Sequence, residues 1–285
     1  MTDSDQSVTS DAGTTAPVIA LSDGSDFSWR GVHVAAAIAR HTDTHVVIIE
    51  VALLPGDADM IRQSILRRAT TELADTAVQV EVPVQGNSIA DSAATRISEI
   101  APGATVVLSS VGRGRSAAVL GSVAEDLLRQ LHGPIIVVGP EATRASDSLV
   151  TAGTRILVPL DGSDAAEAAI PIAAAWGIEH SMTPWLISVV ESDTAHPDGA
   201  ADTYLARVAS DARRTTHHAT EFDVLHGRHP ADAISDYAHS ADVGCIVTTT
   251  HGRGGLSRLA AGSTAMSLVH RAPVPVMLVR PIAGR

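Results

Sequence analysis

The sequence repeats itself. The apolar run Val18–Leu21 leads into Ser22-Asp23-Gly24-Ser25, and Ile156–Leu160 leads into Asp161-Gly162-Ser163, so that Asp161 answers to Asp23. Gly86 precedes Ala90-Asp91 much as Gly227 precedes Ala231-Asp232. Late in each half stands Gly-Arg-Gly, Gly112-Arg113-Gly114 and Gly252-Arg253-Gly254, followed by Gly121-Ser122 and Gly262-Ser263. Each half closes on an apolar run, Pro134–Val138 and Val274–Val279. Markers kept in one order at nearly constant offset imply a tandem duplication, with each copy of about 130 residues, an ordinary domain size. The organisation expected is a Ser-, Thr- and Asp-rich disordered leader at 1–15, a first domain at 16–142, a polar linker at 143–153 and a second domain at 154–285.

Within each copy, apolar β-branched runs alternate with helical stretches. In the first half the pattern predicts strands at 18–21, 45–51, 78–84, 105–109 and 134–138, and helices at 29–40, 58–75, 88–100 and 122–131. In the second it predicts strands at 155–160, 185–190, 221–226, 243–248 and 274–279, and helices at 164–176, 201–215, 231–239 and 263–270. Strands that are apolar throughout, separated by helices, belong to a parallel sheet covered on both faces. The fold class expected is therefore α/β, with two similar domains, each a five-stranded parallel sheet with helices on both faces. Ligands of such sheets sit beyond the carboxyl ends of the strands.

Composition narrows the function. With 45% apolar residues but only 2% aromatic ones, the core must be built from Ala, Val, Leu and Ile. A net charge of −12 disfavours nucleic acid or an anionic membrane as partner, because both require a basic surface. All 20 basic residues are Arg. The chain thus lacks the lysine of a P-loop, of a kinase ATP site or of a Schiff base. A single cysteine, Cys245, excludes an internal disulfide or a multi-cysteine metal site and suits a reducing cytoplasm. No apolar stretch reaches the ~18 residues of a membrane span.

Two segments carry candidate chemistry. Between Thr249 and Gly262 a Gly-rich loop joins a strand to a helix opened by Gly262-Ser263-Thr264. Free amides and the positive end of the helix dipole favour a phosphate there. From His251 to Arg285 there is no Asp or Glu, whereas Arg253, Arg258, Arg271, Arg280 and Arg285 are present. The bland alternative is a turn with a Ser N-cap. Asp161, at the same sheet edge, can accept hydrogen bonds from a ribose or a base, and can cap the following helix as well. The near neighbours His217, His218, His226 and His229 lack a helical ligand spacing and read as solvated surface residues. Cys245 reads as a small core residue.

In combination these residues resemble the universal stress protein family in its tandem two-domain form. The nucleotide-binding pattern of that family is Gly, two residues, Gly, nine residues, then Gly-Ser or Gly-Thr. Here Gly252, the nine residues 253–261 and Gly262-Ser263 follow it, and Asp161-Gly162-Ser163 matches the first-strand signature. The resemblance implies a strand order 3-2-1-4-5 and a pseudo-twofold arrangement in which the two final strands meet. It also implies adenine-nucleotide binding, ATP with or without Mg²⁺, mainly in the second domain. Pro159 and Asp161 would flank adenine and ribose, the Val189 backbone would touch adenine, and Gly252, Arg253, Gly262, Ser263 and Thr264 would hold phosphate. Thr249 stands where the family has its first loop glycine. In the first half Asp23, Val51, Gly112, Gly121 and Ser122 take the matching places. There Ser109 replaces the first glycine, and only eight residues separate Gly112 from Gly121.

The function expected is that of a cytoplasmic, ATP-binding stress-response regulator that is not an enzyme, has no metal site, and works with a protein partner as a pseudo-dimeric monomer or a homodimer. A nucleotide-free interaction protein of the same fold and a slow ATPase are the alternatives.

Overall fold

Most of the strands form where the sequence is apolar, whereas the two edge strands, Val78–Glu81 and Glu221–His226, interleave apolar with polar residues. In the computed structural model, which describes residues 16–110, 121–143, 148–190, 199–250 and 262–280, the first half contributes β1 (Val18–Leu21), β2 (Val46–Ile49), β3 (Val78–Glu81), β4 (Val106–Ser109) and β5 (Ile135–Val138). The second contributes β6 (Arg155–Pro159), β7 (Thr183–Val190), β8 (Glu221–His226), β9 (Val243–Thr249) and β10 (Val276–Val279). Between them run α1 (Asp26–His41), α2 (Ala58–Glu72), α3 (Ile89–Ile100), α4 (Ser122–Gln130), α5 (Asp164–Glu167), α6 (Ile170–His180), α7 (Gly199–Thr216), α8 (Pro230–Ser240) and α9 (Ser263–Arg271).

All ten strands lie in one sheet, in the order β3-β2-β1-β4-β5-β10-β9-β6-β7-β8. Each half has the order 3-2-1-4-5 expected of it, and its own strands pair in parallel. The halves join by one antiparallel pair, β5 against β10, with Val137 opposite Val276, Ile136 opposite Met277 and Ile135 opposite Leu278. All six side chains are buried. Pairing the two final strands removes an exposed apolar edge from each half, an edge that would otherwise template aggregation.

Alternate residues of the strands feed two cores, one on each face, except in β3, whose Val78 and Val80 serve only one of them. Ala20, Ile48, Val107, Ile136, Val158 and Met277 pack under α1, α2, α6 and α7. Ile19, Val47, Leu108, Ile135, Leu157 and Leu278 pack under α3, α4, α8 and α9. Both layers cross the junction between the halves.

Three local differences from the sequence expectation have physical causes. The helix expected at 164–176 is broken into α5 and α6, because Pro171 lacks an N–H and its ring crowds the carbonyl one turn earlier. The chain passes the break through a tight turn in which the Ala169 amide donates to the Ala166 carbonyl at 3.1 Å. Helix α1 starts before Trp29, at Asp26, because the Ser25 hydroxyl accepts from the Ser28 amide and caps the helix there. Finally, the described end of the segment between the halves docks. Ser148–Val150 forms a 3₁₀ turn against α1 and β9, Leu149 is fully buried, and its carbonyl accepts from Trp176 Nε1 at 3.1 Å.

The junction has a pseudo-twofold signature in its contacts. Arg280, just past β10, donates to the Leu128 carbonyl of α4 at 2.5 Å. Gly139 holds the matching place just past β5. It packs so tightly on the Val269 carbonyl of α9 that a Cβ would lie 1.8 Å from that oxygen. One half of the junction is closed by a long cation and the other by an absent side chain.

Candidate functional site

The turn after the first strand of each half is built twice to the same dimensions. Gly24 has φ +77° and Gly162 φ +83°, a left-handed conformation that glycine adopts without strain. This turn folds each Asp back on its Ser. Asp23 Oδ1 accepts from the Ser25 amide at 3.0 Å and hydroxyl at 2.6 Å. Asp161 Oδ1 accepts from the Ser163 amide and hydroxyl at the same two distances, 3.0 and 2.6 Å. The serines then cap the helices, Ser25 accepting from Ser28 N–H at 3.1 Å and Ser163 from Ala166 N–H at 3.2 Å. Capping therefore falls to Ser163. Asp161 instead orients the cap, half-buried at the carboxyl edge of β6.

The glycine loops also end alike. The Gly121 amide donates to the Ser110 carbonyl at 3.1 Å and the Gly262 amide to the Thr250 carbonyl at 2.8 Å. Each glycine is the N-cap residue of its helix, α4 or α9, and neither helix has a side-chain cap. Ser122 and Ser263 are thus the first helical residues, and the bland Ser N-cap reading fails. The opening amides of both helices, those of Ser263 and exposed Thr264 included, have no partner within the helix. The two ends differ in charge. No acidic residue stands in the first turn of α9, and His270 and Arg271 close it. Helix α4 carries Glu125 in its first turn. The corresponding residue of α9, fourth in its helix as Glu125 is in α4, is Met266.

The remaining candidates lie along the same edge. Pro159 ends β6 beside Ile187, and the Leu160 amide that follows donates to the Ile187 carbonyl at 2.7 Å. Val189 is half-buried near the end of β7, and Val51 is half-buried just past β2. Thr249 ends β9 and is buried, 5% exposed. Its counterpart Ser109 turns its hydroxyl to α1, donating to the Phe27 carbonyl at 2.8 Å. In the first half Asp23, Val51, Gly121 and Ser122 converge on one cleft of about 1000 Å³, which Trp29 and Glu50 also line. In the second half the parallel order β7-β6-β9 sets Val189, Asp161 and Thr249 at one sheet edge, with Gly262 tied to the residue after β9. Gly112, Gly252 and Arg253 lie outside the described residues.

Other side chains acquire clear roles. Cys245 is fully buried and desolvation pushes its thiol up to about 12, so it is core. His217, His226 and His229 are exposed, whereas His218 is part-buried with Nε2 2.9 Å from the Met182 carbonyl. Tyr204 on α7 donates to Glu167 at 2.9 Å. Burial first, then Glu167, raises its pKa, so the hydroxyl stays a donor near Asp161. The lone α7 tyrosine was the only sequence signal for it. Among the described residues no group of three or more His, Cys, Asp or Glu side chains converges to hold a metal ion, and no helix is long and apolar enough to cross a membrane.

Two fused parallel α/β units, each with an Asp-Gly-Ser turn and a glycine-capped helix at the carboxyl edge, define a duplicated Rossmann-like protein. Residues 153–280 match the model of the universal stress protein family. A universal stress protein of Mycobacterium tuberculosis is 32% identical over 186 residues, 61% of this chain and 61% of that protein. One of Mycolicibacterium smegmatis is 29% identical over 186 residues, 62% of this chain and 61% of its own. The match thus spans about three fifths of the length of these relatives. The crystal structure of a universal stress protein from Archaeoglobus fulgidus DSM 4304 superposes with a TM-score of 0.64 at 19% identity, covering 93% of this chain and 98% of that one. The whole chain therefore has the fold of that protein.

Proposed function

We propose that the second domain binds an adenine nucleotide, ATP with or without Mg²⁺, and that the protein acts as a nucleotide-responsive stress regulator. The observation that carries this reading is the Gly262–Thr250 closure, which presents the uncapped, acid-free N-terminus of α9 at the same sheet edge as Asp161. Helix amides and dipole supply a phosphate site. Asp161 supplies an acceptor for ribose hydroxyls, and the half-buried end of β7 at Val189 supplies apolar surface and backbone groups for a base. Arg253 and Arg258 in the intervening loop add positive charge. The first domain is the weaker nucleotide site, since Glu125 stands in the first turn of α4 and Glu50 lines its cleft.

Binding proceeds without turnover in this reading. Phosphoryl transfer needs positioned cations and an oriented nucleophile. The chain has no lysine to bridge phosphates, and arginines neutralise charge without activating water. Titration of the full chain with ATP tests binding, and phosphate release from ATP with Mg²⁺ tests turnover. Release well below the ~1 s⁻¹ lower end of common enzymes is expected. Release near that rate that vanishes in Gly262→Val would make the protein an ATPase.

A further inference from the structure

Helix α2 hides little of itself. Ile65 and Ala69 are its only buried residues. At about 3.6 residues per turn, the exposed residues Asp59, Met60, Gln63, Leu66, Arg67 and Thr70 fall on the opposite face. Met60 is 63% exposed and Leu66 42%. Leu53 and Leu54, each as exposed as Met60, lead into the helix, and the Ala52–Val84 bridge sets exposed Val84 beside them. Contiguous exposed apolar surface of this kind marks an interaction site. Helix α7, which holds the same place in the second half, exposes no large apolar side chain.

The pattern along this face of α2 is its own complement. Counted from Gln63, Met60 and Leu66 lie three residues to either side, and Asp59 and Arg67 lie four. A twofold axis beside Gln63 that sets two copies of α2 antiparallel brings Met60 level with Leu66 of the second copy. It also brings Asp59 level with Arg67 of the second copy. Each pair then occurs twice, as an isologous contact requires. Asp59 and Arg67 form no ion pair with another described residue, so both charges are left for such a contact. An acidic partner would leave Asp59 unmatched and a basic one would leave Arg67 unmatched, whereas a second copy matches both. The helix also carries Arg62, Arg67 and Arg68 against Asp59 and Glu72, in a chain of net charge −12. Two copies therefore repel each other less at α2 than over their surfaces at large.

We infer that α2 is the contact surface of a homodimer, in which the α2 helices of two copies lie antiparallel with Leu53, Leu54 and Val84 at the ends of the contact. The final strands β5 and β10 already pair within the chain, so that edge is not open to a second copy. Met60 and Leu66 supply the apolar centre, and the Asp59–Arg67 pairs fix the register. Met60 and Arg67 also border the first-half cleft. The contact uses the outer side of the helix and rests on nothing bound in the cleft or in the second domain.

Sedimentation velocity of the full chain without nucleotide, over a concentration series reaching high micromolar, tests this. A reversible monomer–dimer equilibrium is expected. Arg67→Glu sets two acids level across the contact, and Leu66→Glu buries a charge in it. Each should weaken dimerisation by about tenfold or more. Asp59→Arg combined with Arg67→Glu restores the match and should restore dimerisation. All three positions are exposed, so the variants should keep the circular dichroism spectrum of the wild type. A wild type that stays monomeric, dimerisation that survives both single variants, or a double variant no better than Arg67→Glu alone would overturn the inference.

Discussion

The Gly262 amide donates to the Thr250 carbonyl across 2.8 Å, and that bond sets where α9 begins. It closes a loop of eleven residues, 251–261, whereas the Gly121–Ser110 bond closes one of ten, 111–120. The single-residue difference between the halves is thus confined to the loops, and both helices start on the same hydrogen bond.

Charge at the start of α9 should govern nucleotide affinity. Met266→Glu recreates the acid that α4 carries at Glu125. An acidic side chain near a helix N-terminus disfavours an anion by about 0.3–1 kcal/mol, or about two- to fivefold in affinity. Calorimetric titration with ATP checks this, with Met266→Gln as the packing control. Equal weakening in both variants would assign the effect to lost packing.

The Asp161 turn should matter to fold and site together. Asp161→Ala removes the acceptor of two hydrogen bonds from Ser163. A partly buried pair of this kind contributes about 1–2 kcal/mol. Urea unfolding should show that loss and ATP titration a weaker affinity. An unchanged affinity would remove Asp161 from the site.

Much of this was legible in the sequence, for definable reasons. A strand buried on both faces is a continuous apolar run, so Val46–Ile49 and Ile135–Val138 announce themselves. The Asp and Gly markers announce the turn because few residues serve there. Pro171 was visible too: eighth in the helix expected at 164–176, beyond the first turn in which proline is tolerated, it marks the break between α5 and α6. What periodicity does not encode is which distant groups meet. Leu149 sits in a polar stretch yet is fully buried, and Gly139 follows a strand with nothing to mark its contact with Val269. The exposed Leu53 and Leu54 simply prolong an apolar run.

His180 should make stability depend on pH. Its ring is fully buried, 4.2 Å from Trp176 and 4.8 Å from His41 between centroids, with Glu179 Oε2 4.0 Å from Nε2 and no hydrogen-bond partner for either nitrogen. Burial, then His41, lowers its pKa from 6.5 to about 4. Between these values the unfolded chain binds the proton and the folded chain does not. Stability in this respect is therefore complete above pH 6.5 and falls as the pH drops towards 4, by at most about 1.4 kcal/mol per pH unit. His180→Phe keeps the ring stack and removes the titration. Urea midpoints at pH 7 and pH 5 should differ less in the variant than in the wild type. An equal difference would assign the dependence to other groups.

The junction at Gly139 should be intolerant of a methyl group. Gly139→Ala places Cβ against the Val269 carbonyl, where 1.8 Å is available. Forced shifts of packed elements cost about 1–3 kcal/mol. Because Val269 lies on α9, a lower melting temperature and a weaker ATP affinity should appear together. A melting temperature equal to wild type would show that the halves separate there at no cost.

The central claim is that the start of α9 holds the phosphates of an adenine nucleotide. Isothermal titration of ATP into the full-length protein and into Gly262→Val tests it most directly. Gly262 has φ −52° and ψ 153°, values open to an L side chain, so the variant should fold with α9 intact. The branched side chain would then stand where the phosphate meets the helix amides. The expected result is saturable heat for the wild type and none for Gly262→Val at equal melting temperature. Equal heats and equal affinities in the two proteins would contradict the claim.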